Sequence, residues 1–227
     1  RFTDPAEGAA SLALRDGRTE ALGFYLDHGR VHVGDLATLT QDVFTAWAHD
    51  RNHGLDAIML APTRDLVSEL NQRAQTHRMT RQHPGIFGAE SGTGARLADG
   101  NAAFVGDTVV TRANDRRLRL TLHDWVKNGD RWTVTATHHD GSITARSQSG
   151  EATVTLPVGY AREFVQLAYA TTEHGNQGIT TDTSITLVTG TTTGRGLYVG
   201  ATRGRDQNEL LVVTDQHSHP EFLHSHH

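Results

Sequence analysis

Two short segments hold side chains whose types and spacing suit chemistry on phosphates. The first runs Leu167-Ala168-Tyr169-Ala170-Thr171-Thr172-Glu173-His174-Gly175-Asn176-Gln177-Gly178-Ile179-Thr180-Thr181-Asp182, just before an apolar stretch at 185–188. A strand-edge loop of this content can grip phosphates or sugars through hydroxyls and backbone N–H groups without net charge. A polar turn with a helix cap has the same composition, and the residue types leave both open. The second is Gly196-Leu197-Tyr198-Val199-Gly200-Ala201-Thr202-Arg203-Gly204-Arg205-Asp206. A short apolar helix here ends in two arginines around a glycine and feeds an apolar strand at 210–213. Arginine keeps its charge and presents a planar fork suited to phosphate oxygens, so at a helix end facing a cleft it can act as an arginine finger. A surface arginine satisfying the helix's last carbonyls is the other reading.

Other chemistry is excluded by what the chain lacks. Of 21 basic residues only Lys127 is a lysine, and it lies between Val126 and Asn128. A phosphate-binding P-loop needs Gly-Lys-Ser/Thr at a helix N-terminus. The glycine run from Gly85 to Gly100 is therefore no Walker A loop, and Gly92-Thr93-Gly94 lacks the third glycine of a dinucleotide fingerprint. With no cysteine there is no disulfide scaffold, thiol nucleophile or thiolate zinc site. No Gly-x-Ser-x-Gly elbow supports a hydrolase among the 15 histidines. Five of them, His217, His219, His224, His226 and His227, crowd the last residues, a tail that reads as a disordered end or an appended tag, with metal binding as the alternative. Trp125 and Trp132 could stack bases, whereas Trp47 falls on the apolar face of a helix.

These residues need a frame, and 227 residues with 36% hydrophobic content can build one. Asp4-Pro5-Ala6-Glu7 has the order of a capping box before a helix ending near Arg15. Further helices are expected over Thr19 to Asp27 and 38–50, with a short strand at Val31 and Val33 between them. The apolar run 56–61 suits a central parallel strand, Pro62-Thr63 ends it, and a helix follows from Arg64 to about Arg78. Strand, short loop and helix form the βα unit whose ligands collect at the strand's carboxyl end, where Thr63 stands.

From Val105 the period changes. Strands at 108–111, 132–137, 143–146 and 153–156, separated by Asn128-Gly129-Asp130 and Asp140-Gly141-Ser142, read as a small antiparallel barrel set into the α/β frame. The whole chain carries a net charge of −5, which argues against a dedicated nucleic-acid-coating protein. The middle segment nevertheless packs Arg112, Arg116, Arg117 and Arg119 together, as a phosphate-facing edge or as a solvated hairpin face. No apolar run is long enough for a membrane span and the start does not read as a signal peptide, so a cytoplasmic protein is expected.

Together the motifs resemble the second motor domain of RecD-like superfamily 1 helicases. "YATTEHGNQG" at 169–178 is similar to that group's threonine, histidine and glutamine-glycine motif, and "LYVGATRGR" at 197–205 to its motif VI. Arg1-Phe2 resembles the stretch with the motif IV arginine, and Ala61-Pro62-Thr63 the turn that grips single-stranded DNA. "VGDTVVTRAND" at 105–115 and "NGDRWTV" at 128–134 resemble the insertion that forms a barrel of the Src-homology-3 kind. "QGITTD" at 177–182 departs from the glutamine-glycine-serine-glutamate of RecD repair helicases. It looks more like the form in conjugative relaxase-helicases of the MobF (TraI/TrwC) type.

The resemblance implies a RecA-like domain over 1–105 and 158–215, an SH3-like barrel over 106–157, and a tail over 216–227. It implies a piece of a longer 5′ to 3′ DNA helicase, whose first motor domain supplies the P-loop and the magnesium ligands. In that setting Arg203 and Arg1 stabilise the γ-phosphate of ATP, Gly178 lies at the nucleotide, and Gln177 couples nucleotide to DNA. Thr63, Thr172, His174, Asn176 and Thr180 contact single-stranded DNA. ATP and Mg2+ belong to the parent protein, with none expected in this piece alone, and no protein metal ligands are expected. The relaxase domain and first motor domain are the implied partners. A repair helicase, or a non-catalytic binding module that keeps the motifs as scaffold, are the alternatives.

Overall fold

The computed structural model describes residues 2–16, 18, 21–82, 93–176 and 179–214. Asp4 caps α1 (Pro5–Arg15), its carboxylate accepting from the Ala6 N–H at 2.8 Å. Helix α2 (Leu22–Asp27) covers the later part of the expected Thr19–Asp27 segment, and Thr19 and Glu20 lie outside the described residues. Strand β1 (Val31–Gly34) follows, then α3 (Leu36–Asn52), which Asp35 caps through the Thr38 N–H at 3.0 Å. Strand β2 (Ala57–Leu60) is buried along its whole length, as its unbroken apolar run requires. Helix α4 (Arg64–Gln82) runs past the expected end at Arg78.

The period-two region begins with the short ladder of β3 (Ala95–Arg96) and β4 (Ala102–Ala103). Next come β5 (Thr108–Thr111), β6 (Asp115–Arg119), β7 (Trp125–Val126), β8 (Arg131–Thr137), β9 (Ile143–Ser147) and β10 (Thr153–Leu156). Helix α5 (Val158–Phe164) leads into β11 (Val165–Leu167) and β12 (Ala170–Thr171). A 3-10 turn (His174–Asn176), β13 (Thr181–Val188), α6 (Gly194–Gly200) and β14 (Gly204–Val213) are the last elements among the described residues.

Ten of the strands sort into two five-stranded sheets, and β3-β4 and β6-β7 form separate two-stranded ladders. The first has the order β1-β14-β13-β2-β12, and every pair in it is parallel. Side chains alternate across it. Met59 and Ala61 join Leu39, Val43 and Trp47 in one core, while Ile58 and Leu60 pack with Ile179 and Val199 on the other face. The result is a parallel sheet with helices on both faces, the α/β layering expected. The second sheet has the order β10-β9-β8-β5-β11 and is antiparallel throughout. Among the described residues no ladder joins its outer strands β10 and β11, so where a small barrel is expected the hydrogen bonding gives an open sheet. Among the described residues no helix is long and apolar enough to cross a membrane.

Polar groups buried in this frame are tied into networks. Glu7 does not close the expected capping box. It is fully buried, with Oε2 2.9 Å from the Arg30 guanidinium and Oε1 accepting from the Asn208 carboxamide at 2.5 Å. Charge pairing in the interior outweighs one more bond to a helix end. Asn208, itself fully buried, also accepts from the Gly204 N–H at 2.7 Å and the Ser184 hydroxyl at 2.6 Å, and donates to the Gly204 carbonyl at 3.0 Å. A Cβ on Gly204 would fall 2.9 Å from the Ser184 nitrogen, so this close approach requires glycine. A second node is Asp107, also fully buried, which accepts from the Tyr169 hydroxyl at 2.7 Å and Gln75 Nε2 at 2.6 Å, and pairs with Arg78 at 2.8 Å.

Asn208→Ala strands the buried Gly204 N–H and takes one partner each from Glu7, which keeps Arg30, and Ser184, which keeps the Gly200 carbonyl at 2.8 Å. It is expected to cost about 3 kcal/mol in urea unfolding, and a loss no larger than that of an exposed Asn→Ala change would remove the network from this role. His77 gives a pH test. Its ring meets Phe44 edge-on at 5.7 Å, and burial, then the Arg81 charge, lower its pKa. The unfolded state then binds the proton more readily than the folded one. Stability contributed by the neutral ring is complete above the unfolded pKa and lost as pH falls through the folded pKa. His77→Phe should therefore narrow the drop in urea midpoint between neutral pH and pH 5 (about 6.5 being the free imidazole value); an unchanged drop would contradict it.

Candidate nucleic-acid cleft and arginine site

The parallel strands β2 and β12 end together beside the start of α4. Thr63 caps that helix, its hydroxyl accepting from the Leu66 N–H at 3.3 Å, and it remains exposed. Beside it a cleft of about 840 Å³ opens between the two sheets, with Arg64, Arg112, Asn128, Thr171, Thr172 and His174 on its walls. Asn71 sets its floor from the buried face of α4. Its carboxamide accepts from the N–H groups of Tyr169 and Ala170 at 3.0 and 2.8 Å and donates to the Ala170 carbonyl at 3.2 Å. This locks the entry into β12 and aims the following residues at the opening.

Arg112 crosses from the antiparallel sheet to that opening. It donates to Gln166 Oε1 at 3.1 Å, to the Gly175 carbonyl at 2.5 Å and to the Thr171 hydroxyl at 3.2 Å. Burial lowers its pKa. Thr172 receives the Gly175 N–H on its hydroxyl at 3.3 Å and so shapes the 3-10 turn. His174 projects into solvent, 3.5 Å from the Glu173 carboxylate. The cleft thus offers hydroxyls, an imidazole and guanidinium groups at a helix N-terminus, a combination that suits an extended phosphate backbone.

The chain then returns to the amino end of the sheet. Because β12 and β13 both run parallel to β2 from opposite sides, residues 172–180 form the crossover between them, with no α-helix among its described residues. Ile179 anchors it against Ile58, Leu60 and Val199, and Thr180 emerges exposed. Arg203 stands at the same end: its carbonyl accepts from the Thr181 N–H at 3.1 Å and its guanidinium donates to the Ile179 carbonyl at 3.2 Å. Arg205 pairs with Asp182, whose other oxygen accepts from the Asp56 N–H at 2.9 Å. Backbone bonding at Asp56, then Arg205, holds the Asp182 carboxyl below the usual carboxylate range. The Thr3 N–H donates to the Arg205 carbonyl at 3.0 Å, which brings the start of the chain here too.

The expected site residues therefore fall at two ends of one sheet. Thr63, Thr172 and His174 gather at the cleft, and Thr180 keeps company with Arg203 at the opposite end. Arg1, Gln177, Gly178 and the side chain of Asn176 lie outside the described residues, as does the His-rich tail. Arg64 and Asn71 escape a reading of the sequence, although a carboxamide on the apolar face of α4 is a signal that could have found Asn71. Trp132 cannot stack bases: it is buried, with its indole N–H on the Thr111 hydroxyl at 3.3 Å. Trp125 is half-buried, with Arg116 and Lys127 over its ring. Among the described residues no three His, Asp or Glu side chains converge as a metal site.

No protein-family model matches the chain. It is 29% identical over 203 residues to the probable conjugal transfer protein TraA of Sinorhizobium fredii (strain NBRC 101917 / NGR234), covering 87% of this chain and 17% of that protein. Its structure is similar to the Bacteroides Pif1 helicase in complex with ADP-AlF3 and single-stranded DNA, with a TM-score of 0.54 and 18% identity over 93% of this chain. Bacteroides Pif1 bound to single-stranded DNA gives a TM-score of 0.50 at 17% identity. The chain spans 49% of either solved helicase chain. What these likenesses establish is the fold: the helix-flanked parallel sheet of a helicase RecA-like domain.

Proposed function

We propose that this chain is the second motor domain of an ATP-dependent DNA helicase that belongs to a longer conjugative relaxase-helicase and moves 5′ to 3′ along single-stranded DNA. One observation carries the reading. A single crossover, residues 172–180, joins a polar cleft suited to a phosphate backbone to the end of the sheet where Arg203 stands. A shift of that crossover is felt at both ends. The named conjugal transfer relative supports the conjugative setting over a repair helicase.

In this reading residues 106–157 are an insertion in a motor domain made of 1–105 and 158–215. Single-stranded DNA lies along Thr63, Arg64, Thr172 and His174. In this reading ATP and Mg2+ belong to the parent protein, since the one lysine of this chain, Lys127, stands between Val126 and Asn128 and not in a Gly-Lys-Ser/Thr loop. A first motor domain holds them, together with a relaxase domain as further partner. This chain supplies Arg203, whose guanidinium balances charge on the γ-phosphate, with Arg1 and Gly178 assigned to the same nucleotide side. Gln177 lies within the coupling crossover. Thr180 takes its place with Arg203, which moves it from the DNA side to the nucleotide side.

Arg203→Ala in a protein that joins this chain to its first motor domain should abolish ATP turnover and leave ATP binding intact. An arginine finger contributes roughly 10³–10⁵ in rate, and wild-type turnover would remove the assignment. The chain alone should release no phosphate from ATP at any protein concentration. It should bind a fluorescent oligothymidylate with affinity that falls as salt rises. Arg64→Glu should weaken that binding about tenfold at low salt; equal affinity in the variant would take the cleft out of the DNA path.

A further inference from the structure

The hairpin of β6 and β7 belongs to neither five-stranded sheet. Its base forms part of the cleft wall: Asn128, which lines the cleft, donates its N–H to Asn114 Oδ1 at 2.9 Å. From there the arm projects outward. Leu118 and Leu120 turn toward the core, while Arg116, Arg117 and Arg119 are exposed. Arg117 is engaged by Asp115 at 2.9 Å and Lys127 by Asp124 at 2.6 Å. Among the described residues no carboxylate pairs with Arg116 or Arg119. The Arg116 guanidinium lies over the Trp125 ring at 4.8 Å, which holds it outward in a fixed place.

At the tip stands Leu122, 83% exposed, more than any other large apolar side chain among the described residues. The tip is ordered by its own bonds. The N–H groups of Leu120 and Thr121 donate to the Asp124 carbonyl at 2.9 and 3.3 Å, and Arg119 donates to the Leu122 carbonyl at 2.9 Å. A leucine held in water on a shaped turn does nothing for the fold. Flanked by unpaired cations, it has the character of an apolar wedge that rests on a base step while arginines hold phosphates.

We propose that the 114–128 hairpin is a duplex-engaging arm: Leu122 abuts the terminal base pair where the strand leaving the cleft becomes paired, and Arg116 and Arg119 contact the phosphates of that duplex. The proposal rests on the reading of the cleft as a single-strand site. Continuity with the cleft and the sign of the free charge favour DNA over a protein partner, whose acidic surface would have no use for an apolar tip matched to a flat base pair.

The test compares a fluorescent single-stranded tail with the same tail joined to a duplex, by anisotropy on this chain. The wild type should bind the tailed duplex about tenfold more tightly, equal to about 1.4 kcal/mol. Leu122→Asp, and separately the double variant R116Q/R119Q, should bind both DNAs alike with tail affinity unchanged. Both changes sit on exposed positions, and circular dichroism confirms that the variants fold. A tail that binds with no gain from the duplex, or a gain that survives both variants, overturns the arm and leaves the cleft reading standing. A tail that does not bind at all overturns both.

Discussion

One buried carboxamide holds the Arg203 end of the parallel sheet together. Asn208 satisfies its donors and acceptor between Glu7 of α1, Ser184 of β13 and both backbone groups of Gly204. Glu7 and Ser184 have a second partner in Arg30 and the Gly200 carbonyl, but the buried Gly204 N–H without Asn208 would carry the cost of lost hydration. Meeting them all with one side chain aligns β14 against β13 and seats α1 across them. Arg203 is the residue immediately before Gly204, so its backbone is placed by the same alignment. Gly200 adds to this on the helix side, since a Cβ there would lie 2.5 Å from the Thr186 hydroxyl and push α6 off the sheet.

At the other end Asn71 and Arg112 do comparable work by different means. Asn71 acts as a template for the backbone entering β12, and Arg112 carries charge from the antiparallel sheet onto the turn after it. The hydroxyls and imidazole of the cleft are therefore presented by two sheets acting jointly. Neither sheet alone would form an opening of this size or polarity.

The frame was legible in the sequence where local and global demands agree. A short unbroken apolar run bounded by turn signals suits a strand covered on both faces, and β2 is one. Trp47 sits in the core as its helical spacing requires, with its indole N–H meeting the Ala57 carbonyl at 3.1 Å. The polar details were less legible because their partners are remote in the chain. Glu7 reads locally as a cap, yet it bonds a residue 201 positions away. Arg112 reads as one of a basic cluster, but its neighbours Arg116 and Arg119 face outward while it turns in. The motif at 169–182 reads as one contiguous patch, and only the parallel topology reveals that its two halves serve opposite ends of a sheet. Closure of the antiparallel strands into a barrel was likewise beyond strand spacing, because pairing of the outer strands is a long-range property.

Asp107 has a mechanical consequence. Its carboxylate lies inside the protein with donors from α4 and from Tyr169, just before β12, while the residue after it begins β5. Swinging the antiparallel module away from the parallel sheet would strip a submerged anion of its counterion and its hydroxyl at once, a loss of several kcal/mol. The module and the long helix must therefore travel as one body.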